Sequence, residues 1–539
     1  MYVKASNPDI YDAFHAVALD GDTLVVGAPG EKSASGMING DQADNSLRGA
    51  GAAYVFVRAN GVWAQQAYLK PADPREDAYF GSSVAIDGDT IAVGAYGEAT
   101  GGYRAGAAYV FVRANGTWTQ QARLKAPQPQ PNDTFGLSLA LAGDTLAVGG
   151  VRTHVFARAG QAWGHQAALA GAQPWYGASL ALDARWLVIG APYEAGTGVA
   201  DVYERADGRW LRQARLLADN AEADDYFGTA VALGEQAVIV GAPGEDSVAR
   251  GVGGDPGDNG AQDSGAAYVF GRSGDQWAQQ AYLKASNADA GKRFGSQLAA
   301  SGDWAIVAGG DDSGAVNQQG DESDTSQPQS GAAYFFRRNS DGWRQWVYQK
   351  ASNTEAFDQF GGSMAMSGTT VAVSSMFESS GAAGINGDQA DNSREHAGAV
   401  YLASIPQQAD LAVRCYGQIL AGGQAVNLGF AAPGAAVTRT FTIENRGGSL
   451  LTLTASPPVA LEGGAGAISL ASQPASELVP FSATSFAVRF APPATGSYSA
   501  TLVIRSDDPD SDPVRITVHG WSSAVPPIFL PLIGQRAAP

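Results

Sequence analysis

An aromatic residue, then glycine, then an alternating apolar run recurs along most of the chain, and self-similarity of this kind constrains a fold more than any local propensity. The pair stands at Phe80-Gly81, Phe135-Gly136, Tyr176-Gly177, Phe227-Gly228, Phe294-Gly295 and Phe360-Gly361, with a degenerate copy at Phe14-His15. Successive aromatics lie 66, 55, 41, 51, 67 and 66 residues apart, which makes seven copies. Within a copy the order of segments barely changes. Residues 80–95 (FGSSVAIDGDTIAVGA) hold two alternating runs joined by Asp-Gly, a hairpin signal expected to put both turn residues at positive φ. A third run at 106–116 and a fourth at 117–127 follow, joined by Asn-Gly. Four antiparallel strands repeated seven times predict an all-β chain built as a seven-bladed β-propeller.

The ends of the repeat region bear on closure. The seventh copy supplies three strands, at 363–368, 369–375 and 398–404, and no fourth. The start, Tyr2-Val3-Lys4-Ala5-Ser6-Asn7, matches the end of a fourth strand at Tyr282-Leu283-Lys284-Ala285-Ser286-Asn287. The N-terminal segment is therefore expected to complete the last blade and remove two exposed sheet edges. That assigns residues 1–405 to the propeller. Beyond it the repeat vanishes, and 409–521 carry short apolar runs at 437–443, 449–454, 485–490, 498–504 and 514–518, separated by turn residues. This texture predicts an immunoglobulin-like β-sandwich, although the Cys…Trp…Cys pattern of antibody domains is missing. Residues 522–539 read as a flexible apolar, proline-rich tail.

Composition narrows the function classes. With 53 acidic and 34 basic residues the formal charge is 34 − 53 = −19, so a phosphate backbone is a poor partner and nucleic acid is excluded. No apolar stretch approaches the roughly 18 residues that would span a bilayer. One cysteine, Cys415, excludes a disulfide framework and Cys-based metal sites. No secretory leader precedes the first strand; because the chain starts partway through a repeat, an extracellular or cell-surface location with a truncated start is expected. A monomer is expected.

Phe-Gly followed by Gly27-Ala28-Pro29, Gly190-Ala191-Pro192 or Gly241-Ala242-Pro243 resembles the FG-GAP repeat of integrin α-subunit propellers, and more closely its bacterial version, over residues 2–404. Copies 3, 6 and 7 depart from the triplet (Gly149-Gly150, Gly309-Gly310, Ser374-Ser375). Residues 441–454 (FTIENRGGSLLTLT), 486–510 and Gly520 resemble the choice-of-anchor D module, related to Hydin-type sandwiches. The resemblance implies a non-catalytic binding or adhesion scaffold. It also implies calcium in an Asp-x-Asp-x-Asp-Gly loop between strands one and two, but the tight turns at Asp20-Gly21-Asp22 and Asp87-Gly88-Asp89 cannot wrap an ion that wants six to eight oxygens.

The loops between strands two and three are the richer candidates. Blade 1 carries Asn39, Asp41, Asp44 and Asn45 in the octet NGDQADNS, which blade 7 repeats identically with Asn386, Asp388, Asp391 and Asn392. Their oxygens suit a hard cation, with calcium the candidate cofactor, although Asn, Asp and Gly also populate ordinary β-turns. Blades 5 and 6 carry acidic loops with Asp255 and Asp258, and with Asp321 and Asp324, as candidate binding residues. Strand parity puts these loops on one face. Blades 5, 6, 7 and 1 hold the long ones (244–264, 311–330, 377–397, 30–50), so ring closure predicts an acidic crescent that recognises a protein or glycan at a surface. The tryptophans that open each fourth strand, Trp63 to Trp343, are expected to pack between blades. No nucleophile elbow, phosphate loop or HExxH signature occurs; the alternative reading is a secreted hydrolase or lyase acting on a polysaccharide from the central depression.

Overall fold

The computed structural model describes all residues except 235–236, 275, 315–321, 323, 340–341, 406–408, 410, 417, 421–424, 448, 465, 480–481, 509–512 and 524–539. Asp321 and most of the C-terminal tail thus lie outside the described residues. Two compact units form, Met1–Ser404 and Ile405–Pro539. Among the described residues no helix is long and apolar enough to cross a membrane, and the helical content is one 3₁₀ turn, Glu194–Gly196.

The first unit contains seven four-stranded antiparallel sheets. Blade 1 is Ala16–Asp20, Thr23–Ala28, Ala52–Ala59 and Val62–Leu69. Blades 2 to 6 repeat this order over 83–124, 139–169, 179–216, 230–283 and 294–349. Blade 7 takes Phe360–Ser367, Thr370–Ser375 and Ala399–Ser404, and its outer strand is Tyr2–Val3, paired as Tyr2↔Tyr401 and Val3↔Val400. The innermost strands touch one after another, and Phe360–Ser367 lies against Ala16–Asp20, so the ring closes as a β-propeller.

Local sequence explains the sheets, with one correction. The hairpin between strands three and four has Asn60 and Gly61 at φ 52° and 78°, the double left-handed pair that an Asn-Gly turn supplies. The hairpin between strands one and two pairs Asp87 with Thr90, so its turn residues are Gly88-Asp89 and only Gly88, at φ 55°, is left-handed. Asp87 stays in the strand. Its carboxylate instead accepts from the Gly143 N–H of the next blade, and Asp20 does the same for Gly88 at 2.7 Å.

Blades are held together by repeated latches. The Phe80 ring is fully buried edge-on against Tyr109 and Phe111. Gly81 sits at φ 93° where an added Cβ would meet the Ala52 carbonyl oxygen at 2.2 Å, so only a bare backbone fits. The fourth-strand tryptophans pack between blades: Trp118 Nε1 donates to Gln66 at 2.8 Å, Trp163 to Gln121 at 2.8 Å and Trp210 to Gln166 at 3.1 Å. Arg58, Arg113 and Arg158 lie over Trp63, Trp118 and Trp163 while pairing with Asp22, Asp89 and Asp144 in their own hairpins.

The second unit sets a five-stranded sheet (Gln418–Leu420, Leu411–Cys415, Val437–Asn445, Ala483–Phe490, Ile468–Ser472) and a four-stranded sheet (Ala425–Phe430, Val514–Ser522, Gly496–Ile504, Val459–Gly463) around one apolar core. Leu428, Phe441, Ile443, Phe486, Leu502 and Ile516 form its centre. Cys415 is buried and free.

Candidate functional site

The face of the ring that carries the loops between strands two and three, together with the links between blades, is built on buried charge. In blade 1 the Lys70 ammonium, just past strand four, lies 2.8 Å from Glu31, just past strand two. The same register gives Lys4–Glu378 at 2.7 Å, Lys284–Glu245 at 2.7 Å, Lys350–Asp312 at 3.2 Å and a short Lys125–Glu98 pair. Blade 4 substitutes Arg215 with Asp201 at 2.8 Å. Side chains of the Lys4, Lys70, Lys284 and Lys350 pairs are at most 2% exposed. Burial pulls these lysines below their ordinary pKa, and the facing carboxylates oppose it. Three of the lysines also reach the far foot of the loop: Lys70 donates to Gly51 O, Lys284 to Ser264 and Lys350 to Ser330. In blades 1, 5 and 6 the lysine therefore staples both ends of the loop to strand four. Sequence reasoning missed it, although a Glu four residues past the glycine of strand two and a Lys closing strand four recur in register.

A second repeated residue, also missed, holds the long loops. Three residues past the lysine position, which is Leu217 before Asn220, the residues Asn7, Asn220, Asn287 and Asn353 each accept from a tyrosine hydroxyl of the next blade (Tyr54, Tyr268, Tyr334, Tyr401). Their amides donate to a loop carbonyl of that blade: Gln42 O, Pro256 O, Glu322 O and Gln389 O, at 2.8–3.1 Å. These four asparagines precede blades 1, 5, 6 and 7, the four with long loops. Blades 2, 3 and 4, preceded by Asp73, Gln128 and Gln173 at this position, have only 96–106, 149–152 and 192–198. The long loops stand side by side in the ring, as expected, and each is gripped from the neighbouring blade.

The residues singled out as metal ligands are distributed along these loops as turn builders. Asn39 and Asn386 are left-handed, at φ 57° and 54°, and their side-chain oxygens accept from Tyr68 N and Tyr2 N, which docks the loop on strand four. Asp41 and Asp388 accept from Ala43 N and Ala390 N at 2.9 Å. Asp44 and Asp391 accept from Ser46 N and Ser393 N, and Asp44 also takes Ala34 N. Asn45 and Asn392 donate to Asp9 and Glu355 in the preceding link. Blade 5 does the same, with Asp255 and Asp258 receiving Gly257 N and Gly260 N, and in blade 6 Asp324 receives Ser326 N. Among the described residues no three His, Cys, Asp or Glu side chains gather where one cation could be held. A backbone amide engages at least one oxygen of each of these carboxylates and no three acidic side chains converge among the described residues, so calcium at 1 mM or a chelator is expected to leave the melting temperature unchanged. A calcium-dependent rise that Asp41→Ala with Asp388→Ala abolishes would establish a site.

The links between blades contribute three buried carboxyls. Asp12, Asp225 and Asp358 each accept the backbone N–H of the third residue before them, from Asp9, Glu222 and Glu355. Burial, aided by the neighbouring Glu31, Glu245 and Glu378, raises their pKa to about 7, 6 and 7.

The central channel has a different character. Its wall carries Ser83, Ser138 and Ser179, whose hydroxyls donate to Gly136, Gly177 and Gly228 carbonyls of the next blade at 2.7–2.9 Å. The mouth on the opposite face opens into a cavity of about 720 Å³ lined in part by Asp20, Asp87, Asp144 and Asp183. Asp144 pairs with Arg158, and Asp183 accepts from Arg185 N and Trp186 N.

Three stretches of the ring match the FG-GAP repeat: residues 63–111, 118–162 and 210–270. Each begins at a fourth-strand tryptophan, Trp63, Trp118 or Trp210. No curated protein matches the chain. Among solved structures, the ASH / PapD-like domain of human CEP192 (PapD-like domain 7) is similar at 14% identity, over 23% of this chain and 92% of that one, with a TM-score of 0.17.

Proposed function

We propose that this chain is a non-catalytic binding scaffold of an extracellular or cell-surface protein, recognising a protein or glycan partner through the loop face of its ring. The C-terminal sandwich, read as an immunoglobulin-like module of the choice-of-anchor D kind, serves as spacer. The carrying observation is that four long, polar loops stand in adjacent blades, each anchored by a buried ion pair and clamped by an asparagine of its neighbour. Loops held this firmly lose little conformational freedom on docking, which favours recognition. The FG-GAP matches within the ring support a binding propeller.

The test is to cut the loops at 30–50, 244–264, 311–330 and 377–397 to the length of 96–106, keeping the ion pairs. The full chain would then be compared with this variant on immobilised extracellular proteins and glycans. Binding of whatever the parent captures is expected to fall at least tenfold while the variant stays folded. Undiminished binding by a folded variant would move the site off the crescent.

A further inference from the structure

Blade 3 is the one blade of the seven with neither the buried acid nor a basic partner for it; blade 4, which also lacks the lysine, keeps Glu194 and sets Arg215 against it and Asp201. In blade 3 Thr153 stands four residues past Gly149, where the others carry a buried acid, and the fourth strand ends in Leu169-Ala170-Gly171 with no lysine. Its loop is the shortest, 149–152, and Val151 N is tied to Asp133 O at 2.9 Å. A low notch therefore interrupts the loop face, and departures from a fold's own rule concentrate at working sites.

Aromatic side chains flank the notch. On the blade 2 side Tyr103 is 66% exposed, and Tyr79 and Tyr96 stack at 5.3 Å with 17° between planes. On the blade 4 side Tyr193 is 53% exposed and meets the Tyr226 edge at 5.8 Å, while Trp175 is half-buried in the link between blades 3 and 4. Among the described residues every aromatic side chain of the ring that is more than half exposed lies on the loop face. Two cations complete the notch. Arg104 is held against Tyr96 and Tyr103, at 6.0 and 5.5 Å, and Arg152 is exposed on the notch floor. Neither has a carboxylate partner among the described residues, whereas Arg48, Arg75, Arg123, Arg293 and Arg394 on the same face are paired; Arg250, in the blade 5 loop, is exposed and has no aromatic neighbour or ion pair among the described residues.

We infer that this notch is a subsite for a uronate-bearing glycan chain. Flat rings accept the C–H faces of pyranoses, and the guanidinium groups of Arg104 and Arg152 accept carboxylates in bidentate fashion. A protein partner would want a contiguous apolar centre, whereas these rings come from separate loops and links and stand beside two arginines. On a face that is otherwise acidic, two unpaired arginines set between exposed rings are a selective feature for an anionic chain. The inference rests on the proposed function only in placing recognition on the loop face.

The experiment titrates the full chain with oligogalacturonate and with neutral cello-oligosaccharides of equal length, by calorimetry, at two salt concentrations. Saturable, salt-weakened binding of the uronate is expected, at least tenfold tighter than of the neutral chain. Arg104→Ala with Arg152→Ala is expected to cost at least tenfold, as are Tyr103→Ala and Trp175→Ala singly, with the crescent-shortened protein binding as the parent does. If Trp175→Ala fails to fold, Tyr193→Ala takes its place. No uronate binding at millimolar concentration, equal binding of the neutral chain, or full binding by the double arginine variant overturns the assignment. A protein that loses a captured partner on loop shortening, yet never binds the uronate, keeps the proposed function and loses the notch. Uronate binding that only the notch variants abolish keeps the notch, whatever becomes of the crescent.

Discussion

Glu378→Ala is expected to lower the stability of the ring by about 3–5 kcal/mol, because it leaves the Lys4 ammonium buried without a counter-charge. Lys4 follows the two-residue strand that closes blade 7, so the loss falls on the seam of the ring. The partner variant separates this from simple loss of packing. Removing both charges together, as Lys4→Met with Glu378→Leu, deletes the desolvation cost along with the attraction, and is expected to melt well above the single variant. Blade 3, with neither charge, shows that a blade of this ring can be built without the pair. The measurement is denaturant unfolding followed by tryptophan fluorescence. A double variant no more stable than the single one would mean that the pair itself, and not the stranded charge, holds the seam.

The second large effect is a dependence on pH of unusual sign. Asp12 and Asp358 have folded-state pKa values raised to about 7, and Asp225 to about 6. A carboxyl raised on folding binds its proton more tightly in the folded chain. Its contribution is fully present below the unfolded value near 4 and is lost as pH rises through the folded value. The ring is thus expected to gain about 5–10 °C in melting temperature between pH 8 and pH 5. Asp312, Glu98 and Asp201 act in the other direction: paired cations lower their pKa despite burial, so their contribution is lost as pH falls below about 4. Stability should peak in the mildly acidic range. Asp12→Asn with Asp358→Asn, which keeps the oxygen that accepts from Asp9 N and Glu355 N, should flatten the slope between pH 5 and 8. An unchanged slope in that variant would remove these carboxyls as its cause.

Much of the ring could be read from the sequence because its information is periodic. Phe80-Gly81, the alternating runs and the turn glycines each report a local requirement, and repetition raised weak signals above chance. The closing strand was legible for the same reason, since Tyr2-Val3-Lys4 repeats Tyr282-Leu283-Lys284. What escaped was pairing across the repeat. Glu31 and Lys70 lie 39 residues apart, and neither is conspicuous until strand register brings them face to face. The octets of blades 1 and 7 show the converse limit. Their composition suits a cation and a chain of Asx turns equally well, and only the direction of each carboxylate, toward Ala43 N or Ser46 N, distinguishes them. In the sandwich the runs with strong apolar alternation were found. Leu411–Cys415, Ala425–Phe430, Val459–Gly463 and Ile468–Ser472 were not, being short or lying at sheet edges, where burial imposes little pattern.

The pairing of Tyr2 with Tyr401 also fixes an order of events in time. A ribosome adding about 5–20 residues per second would deliver the partner strand of Tyr2–Val3 roughly 20–80 s after the strand itself. Through that interval six sheets can form from neighbouring segments, while Tyr2–Val3 remain without their partner. The arc stays open until Ala399–Ser404 are made. Any factor that shields Tyr2–Val3, or any rival edge that captures them, therefore acts on the whole ring through its slowest and most distant contact.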